Sequence, residues 1–149
     1  MAARKTTSAS TLGEYQERLR AAGLRSTAAR VAVLRELEAA TMPLSHADLV
    51  DALKDEGYDR VTLYRNLTDL TEVGLVMRTD LGDRVWRFEL KNEQSGHHDP
   101  HPHFTCTDCG AVSCLPAKSV RLTPSKGAPK AVASSTVDIQ LRGLCDRCG

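Results

Sequence analysis

Two pairs of cysteines carry the clearest chemistry in this chain. Each pair has the spacing Cys-x-x-Cys, is followed by a glycine, and is separated from the other by 35 residues. The four residues are Cys106, Cys109, Cys145 and Cys148. Four thiolates in two such pairs suit tetrahedral zinc, whereas redox pairs, the alternative, usually begin a helix in a larger α/β domain. Because a four-sulfur site has no open position for a substrate, the spacing predicts a structural zinc site.

A second group of possible ligands surrounds the first cysteine pair. His101 and His103 are two residues apart on the approach to a predicted strand, so we expect both side chains to face the same way. A carboxylate and a thiol close in sequence would complete a set of four ligands. The four candidates are Glu89, His101, His103 and Cys114. The neighbouring His97 and His98 are better interpreted as part of a solvated turn.

The composition is that of a folded, globular chain. Its 149 residues are 41% hydrophobic and 26% charged, and a net charge of +1 gives no global signature of nucleic acid binding. No stretch approaches the roughly 18 apolar residues of a membrane span, and the first ten residues lack the apolar run of a signal peptide. We therefore expect a cytoplasmic protein without a membrane partner, whose cysteines act as metal ligands before they form disulfides.

Helix signals dominate the first half of the sequence. Thr11 with Glu14 and Ser45 with Asp48 have the spacing of capping boxes, which predicts helices that start after Thr11 and after Ser45. The first helix is predicted to bury a stripe formed by Leu12, Tyr15 and Leu19, and the third to bury Leu49, Ala52 and Leu53. A second helix is predicted from Ser26 or Thr27, with Val31, Leu34 and Leu37 in the core.

A fourth helix and a hairpin complete the first half. The helix is predicted over residues 59–74, and the apolar-rich strands 75–79 and 84–90 follow it, joined by a short loop that contains a glycine. Helices followed by a hairpin have the order of a winged helix-turn-helix. Further on, two prolines and a glycine within residues 120–135 predict a loop or a broken short helix.

The fourth helix has a polar face that suits DNA. Leu63, Leu67 and Leu70 form its apolar face, and four polar residues are assigned to the opposite side. These are Thr62, Arg65, Asn66 and Asp69. A threonine hydroxyl bonds phosphate, an arginine binds phosphate or guanine, and the flanking Tyr64 contacts thymine methyl groups. The candidate DNA-binding residues are Thr62, Tyr64, Arg65 and Asn66, although such a face is usually only solvated and the order of the elements carries the argument.

Several motifs together resemble those of one family. They are Leu24-Arg-Ser-Thr-Ala-Ala-Arg30, Val61-Thr-Leu-Tyr-Arg-Asn-Leu67, Asp69-Leu70, Gly74-Leu75, Trp86-Arg-Phe-Glu89 and His101-Pro-His-Phe-Thr-Cys-Thr-Asp-Cys-Gly110. In this combination, from about Leu12 to the C-terminus, the sequence resembles the ferric uptake regulator family of bacterial metal-dependent repressors. The resemblance implies an α+β protein with a winged helix-turn-helix domain at 1–90 and a small α/β dimerisation and metal-sensing domain with a four-cysteine zinc site at 91–149.

The resemblance also assigns roles to residues. Tyr64 and Arg65 match the family's DNA-contacting pair, and the four cysteines match its structural zinc site. Glu89, His101 and His103 match the ligands of its regulatory metal, which in the family lies at the hinge between the domains. The implied partners are a palindromic operator in double-stranded DNA and a second copy of the chain, with no small-molecule substrate. The implied function is a repressor that shuts off metal-uptake genes when its metal is plentiful.

Three departures from the family pattern matter. Cys114 lies where the family commonly has a carboxylate, and a thiolate beside two imidazoles favours zinc as the regulatory ion over ferrous iron or manganese. The family often has a histidine ahead of the third helix, where this chain has Pro43, with His46 as an uncertain substitute. Pro100 and Pro102 beside the histidines, and a strand predicted over residues 137–144, lack ligands for the further metal site that some members carry. We therefore expect two metal ions per protomer.

Three alternatives remain at the level of the sequence. Iron sensing and peroxide sensing, in which iron oxidises a histidine ligand, belong to the same family. A zinc hydrolase or deaminase belongs to a different class, and the sequence lacks the helical His-Glu-x-x-His and the His-x-Glu with Pro-Cys-x-x-Cys that such enzymes need. We therefore expect no enzymatic activity.

Overall fold

A computed structural model describes residues 10–91, 101–134 and 137–149. The chain divides into two compact units, Met1–Lys91 and Asn92–Gly149. Within the described ranges, no helix is both long and apolar enough to cross a membrane. His97 and His98 lie outside the described residues, so the predicted turn at these positions stays a prediction.

The described residues of the first unit form four α-helices, a short 3₁₀ helix at Lys54–Glu56 and a three-stranded antiparallel sheet. The helices are α1 Leu12–Ala21, α2 Ala28–Ala39, α3 His46–Ala52 and α4 Arg60–Glu72. The strands are β1 Leu44–Ser45, β2 Val76–Asp80 and β3 Trp86–Leu90. The sheet has the order β1-β3-β2, in which the β2–β3 hairpin forms the wing and β1 pairs with it just before α3. This is the predicted winged-helix arrangement.

Side-chain caps fix where the helices begin. Thr11 and Ser45 make full capping boxes with Glu14 and Asp48, as their spacing predicts. Thr27 caps α2 by accepting a hydrogen bond from the Arg30 N–H. The helices therefore start at the residues that satisfy their first free N–H groups.

Aliphatic side chains build the core of the first unit. Leu19 from α1, Leu34 from α2, Leu49 from α3 and Leu67 from α4 are fully buried there, and Phe88 of the wing packs with them. The predicted stripes are wrong at two positions. Leu12 is 61% exposed because it lies in the first turn of α1, where the helix has few neighbours. Ala52 is also exposed, at the last residue of α3.

The second unit is a small mixed sheet with little helix. Its strands are β4 His103–Cys106, β5 Val112–Cys114 and β6 Gln140–Gly143, in the order β5-β4-β6. The β4–β5 pair is antiparallel and the β4–β6 pair is parallel. Between β5 and β6 the described chain is mostly loop, with a 3₁₀ turn at Ala117–Ser119 and the four-residue helix α5 Lys130–Ala133. The loop and the short helix agree with what the prolines and the glycine of residues 120–135 predict.

Candidate metal centres and DNA-reading helix

The four cysteines of the two Cys-x-x-Cys pairs come together at one end of the second unit. β4 and β6 are parallel neighbours, and Cys106 at the end of β4 lies opposite Gly143 at the end of β6. The turns that follow both strands therefore start at the same edge of the sheet. The sulfur atoms of Cys106, Cys109, Cys145 and Cys148 all lie within 4.8 Å of one another.

Both turns have the same backbone form. The Gly110 N–H donates to the Cys106 carbonyl at 3.1 Å, and the Gly149 N–H donates to the Cys145 carbonyl at 3.0 Å. Gly110 has φ +71°, a left-handed conformation that side chains other than glycine rarely adopt. The glycine after the first pair therefore permits the tight turn that returns Cys109 to Cys106.

Backbone N–H groups stabilise negative charge on this cluster. The N–H groups of Cys109, Cys145 and Asp108 lower the pKa of the Cys106 thiol to about 6, and the Cys145 N–H lies 3.4 Å from the Cys106 sulfur. The Arg147 N–H likewise lowers the pKa of Cys145. Hydrogen bonding with the Cys145 and Asp108 side chains raises the pKa of Cys148 to about 12, because these partners stabilise its protonated thiol. A closed set of four thiols, in which the pKa values of Cys106 and Cys145 are lowered, fits a zinc ion.

A second group of ligand types lies at the other end of β4. His103 begins β4 and is paired directly across the sheet with Cys114, the last residue of β5. The rings of His101 and His103 lie 4.6 Å apart between centroids at an angle of 54°. Ligand atoms of His101, His103 and Cys114 lie within 4.8 Å of one another. The predicted common direction of the two histidines is therefore observed, and the donor set of two imidazoles and one thiol fits zinc.

Glu89 lies in the first unit. It is half-buried on β3 and lies opposite Met77 of β2. Its role as a metal ligand stays a prediction.

The fourth helix, α4, presents a smaller polar face than the sequence suggests. Tyr64 is 52% exposed and Arg65 is also exposed. Thr62 is half-buried, and its hydroxyl donates to the helix-capping Asp59 carboxylate at 2.5 Å. The predicted exposed position of Asn66 is wrong, because its side chain is only 8% exposed. Asn66 lies three residues after Leu63 and four before Leu70, which places it on the buried side of the helix, and we no longer assign it to DNA.

One contact of this helix was not predicted. The His46 ring on α3 packs against the Tyr64 ring with the two planes at 71°, and its Nε2–H donates to the Arg60 carbonyl at 2.9 Å. Within the described residues, His46 belongs to neither group of metal-ligating side chains. The sequence signal was the lone histidine itself, and only the packing of α3 on α4 reveals its neighbours.

Comparison with known proteins decides the family. The family model described as the ferric uptake regulator family matches residues 21–141. The chain belongs to this family. Its members are metal-responsive regulators of transcription rather than enzymes, so the hydrolase and deaminase alternative is set aside.

Relatives in the ferric uptake regulator family match most of the length of this chain. The ferric uptake regulation protein of Pseudomonas aeruginosa is 40% identical over 97 residues, 63% of this chain and 69% of the relative. That of Legionella pneumophila is 32% identical over 139 residues, 91% of this chain and 98% of the relative. The predicted family is confirmed.

Solved structures share the fold. The ferric uptake regulator of Vibrio cholerae has a TM-score of 0.63 at 26% identity and covers 87% of this chain and 98% of that one. A zinc uptake regulator solved in complex with zinc and DNA has a TM-score of 0.58 at 22% identity and covers 91% of each chain. The predicted α+β fold class is confirmed.

Proposed function

We propose that this protein is a zinc-responsive repressor that binds a palindromic operator as a homodimer and controls metal-uptake genes. The observation that carries the zinc assignment is the pair formed by His103 and Cys114 across the β4–β5 ladder, with His101 beside it. A thiolate with imidazoles prefers zinc, whereas ferrous iron and manganese prefer sites richer in oxygen.

The two groups of ligands have separate roles in this proposal. Cys106, Cys109, Cys145 and Cys148 hold a structural zinc ion that stabilises the second unit. His101, His103 and Cys114 bind the regulatory ion, with Glu89 as the further ligand that the family resemblance predicts. The regulatory set includes groups that exchange their metal more readily than a closed set of four thiolates does.

The DNA-binding role rests on the winged helix-turn-helix and on α4. Thr62, Tyr64 and Arg65 are the proposed contacts, with the two side chains of Tyr64 and Arg65 exposed on that helix. The DNA-bound zinc uptake regulator of the same fold supports the assignment to DNA. If metal binding favours the DNA-binding form, DNA must raise the affinity for metal by the same factor.

The test measures operator affinity at buffered free metal. A fluorescein-labelled duplex is first selected from a randomised pool by the zinc-loaded protein, and its binding is then followed by fluorescence anisotropy. We expect free zinc to tighten binding at least about tenfold, a typical allosteric coupling. Cys114→Ser should remove most of this zinc dependence, whereas Ser113→Ala, an exposed neighbour on the same strand, should leave it unchanged.

Other outcomes identify another regulator. Tightening only by anaerobic ferrous iron or manganese, or an unchanged zinc response in Cys114→Ser, would contradict the zinc proposal. Addition of one oxygen to His101 or His103 after peroxide treatment of the iron-loaded protein would identify peroxide sensing instead.

A further inference from the structure

His46 makes two contacts with the start of the helix assigned to DNA. Its Nε2–H donates to the carbonyl oxygen of Arg60 at 2.9 Å. Its ring approaches the Tyr64 ring with centroids 5.5 Å apart and planes at 71°, the edge-to-face arrangement that aromatic pairs favour. Arg60 and Tyr64 are four residues apart and therefore lie on the same face of α4. One side chain thus contacts both the backbone and the exposed aromatic ring of that face.

His46 is itself held in place by the elements around it. It is the first residue of α3 and follows Ser45, whose hydroxyl and N–H are both bonded to the Asp48 carboxylate in the capping box. Ser45 also lies in β1, paired with Arg87 of the wing. The position of the His46 backbone is therefore fixed by a cap and by a strand.

Tyr64 has few restraints of its own. About half of its side chain is exposed, and an exposed tyrosine on a helix is free to exchange between rotamers. The His46 ring contacts one side of Tyr64, and about half of the Tyr64 surface stays open to solvent. A tyrosine already held in one orientation loses less conformational freedom when it contacts a base than a mobile one does.

We propose that His46 is a positioning residue for DNA recognition, which orients Tyr64 so that its ring contacts one thymine methyl group of the operator. The inference rests on the proposed function, because it requires α4 to bind DNA. In this role the ring of His46 restrains Tyr64, and the hydrogen bond to Arg60 sets the angle of the ring. His46 itself does not contact phosphate and does not bind the regulatory metal.

The test uses the full, zinc-loaded protein and the duplex selected by it from a randomised pool. Each thymine of the duplex is replaced in turn by uracil, which lacks the methyl group, and Tyr64→Ala identifies the position whose preference depends on Tyr64. Burial of one methyl group corresponds to about a fourfold preference for thymine in the wild type. His46→Ala should reduce this preference towards unity and weaken binding about three- to tenfold, the range expected for an aromatic pair.

Variants separate the ring from the hydrogen bond. His46→Phe keeps the ring and should restore most of the thymine preference, whereas His46→Gln keeps a donor for the Arg60 carbonyl but has no ring and should not. Ala52→Gln, at an exposed position on the same helix, is the neutral control. Thermal unfolding of each variant verifies that it is folded at the assay temperature.

Two further readouts distinguish positioning from direct contact. His46→Ala should cause no additional loss in a Tyr64→Ala background, because the two side chains then act through one contact. The slope of log affinity against log salt should stay unchanged, since loss of a phosphate contact lowers it by about one. An unchanged thymine preference in His46→Ala, additive losses, or a lower salt slope would each overturn the proposal. If the wild type selects no duplex at all, it is the proposed function that fails.

Discussion

The Glu38 carboxylate accepts hydrogen bonds from two other segments of the first unit. The Tyr15 hydroxyl of α1 donates to this carboxylate, and so do the N–H and the hydroxyl of Ser10, at 3.1 and 2.7 Å. Burial opposes ionisation of Glu38, but the donors from Tyr15 and Ser10 prevail and lower its pKa. Burial and the adjacent Glu38 raise the pKa of Tyr15 above its ordinary range. Folding therefore favours an ionised Glu38 beside a neutral Tyr15.

The hydrogen bond between Tyr15 and Glu38 predicts a difference in stability between the wild type and Tyr15→Phe. This difference should shrink at both low and high pH. At pH 7, Tyr15→Phe should lower the free energy of unfolding by about 1.5–3 kcal/mol, the contribution of a hydrogen bond to a charged group. Because the pKa of Glu38 is lowered, its contribution is present above the ordinary glutamate pKa of about 4.3 and is lost as the pH falls below it. Because the pKa of Tyr15 is raised, its contribution is present below about pH 10 and is lost as the pH rises further.

Denaturant unfolding followed by Trp86 fluorescence measures this difference, since Trp86 is the single tryptophan and lies in the first unit. Tyr58→Phe is the matched control, because in the described part of the chain no hydrogen bond joins Tyr58 to a carboxylate. A difference between wild type and Tyr15→Phe that stays constant from pH 3.5 to pH 7 would rule out the role assigned to Glu38.

At the residue scale, the sequence was informative where spacing alone determines geometry. Two Cys-x-x-Cys pairs and a His-x-His step can be interpreted without knowledge of the fold, and the structure brings the members of each group together. The predicted exposure of Asn66 is wrong because its position between Leu63 and Leu70, and not its polarity, determines the face of the helix on which it lies. The contacts of His46 with α4 were not predicted, because they depend on how two helices pack, which no local pattern reveals.

At the scale of elements, an ion pair joins α2 to α4. Arg30 donates to the Asp69 carboxylate at 2.6 Å and, through its other terminal nitrogen, to the Arg25 carbonyl at 2.8 Å. The Arg30 side chain is only 16% exposed to solvent, whereas the Asp69 side chain is 37% exposed. The same guanidinium therefore connects the loop before α2 with the helix assigned to DNA.

We expect this pair to contribute more than the surface pairs of the same unit. Asp69→Asn should lower the free energy of unfolding by about 1 kcal/mol, a value reduced from that of a buried charged hydrogen bond because water screens Asp69. Arg35 is 46% exposed and pairs with Glu36 and Glu56, so Arg35→Gln should cost less than about 0.5 kcal/mol. Urea unfolding followed by circular dichroism ranks the two variants, and equal losses would show that burial does not determine their strength.

Element boundaries were predictable wherever a side chain makes the boundary. The capping boxes at Thr11 and Ser45 gave the starts of α1 and α3, because a cap is a local interaction between residues three apart. The last strand was less predictable. Residues 137–144 were expected to form a strand, but β6 covers only Gln140–Gly143, because its length is set by pairing with β4 rather than by its own sequence.

At the scale of the whole molecule, the two units differ in what stabilises them. The described residues of the first unit include a continuous core of leucine, valine and aromatic side chains. In the second unit the buried positions among the described residues are few, and several are not hydrophobic. They are Pro102, His103, Thr105, Cys106 and Val112. A unit of this size without a larger apolar core usually depends on a metal or on disulfides.

Removal of the proposed structural zinc should therefore unfold the second unit and leave the first one folded. Hydrogen exchange read by mass spectrometry should show loss of protection in β4 and β6 after chelation under mild denaturant, while α2 and α4 stay protected. Cys145→Ser should have the same effect without a chelator, because three thiols no longer close the site. Cys114→Ser is the matched control, since it removes a cysteine outside the four-cysteine cluster and should leave β6 protected when zinc is present. Protection of β4 and β6 that survives in Cys145→Ser would mean that packing, and not the zinc ion, holds the second unit together.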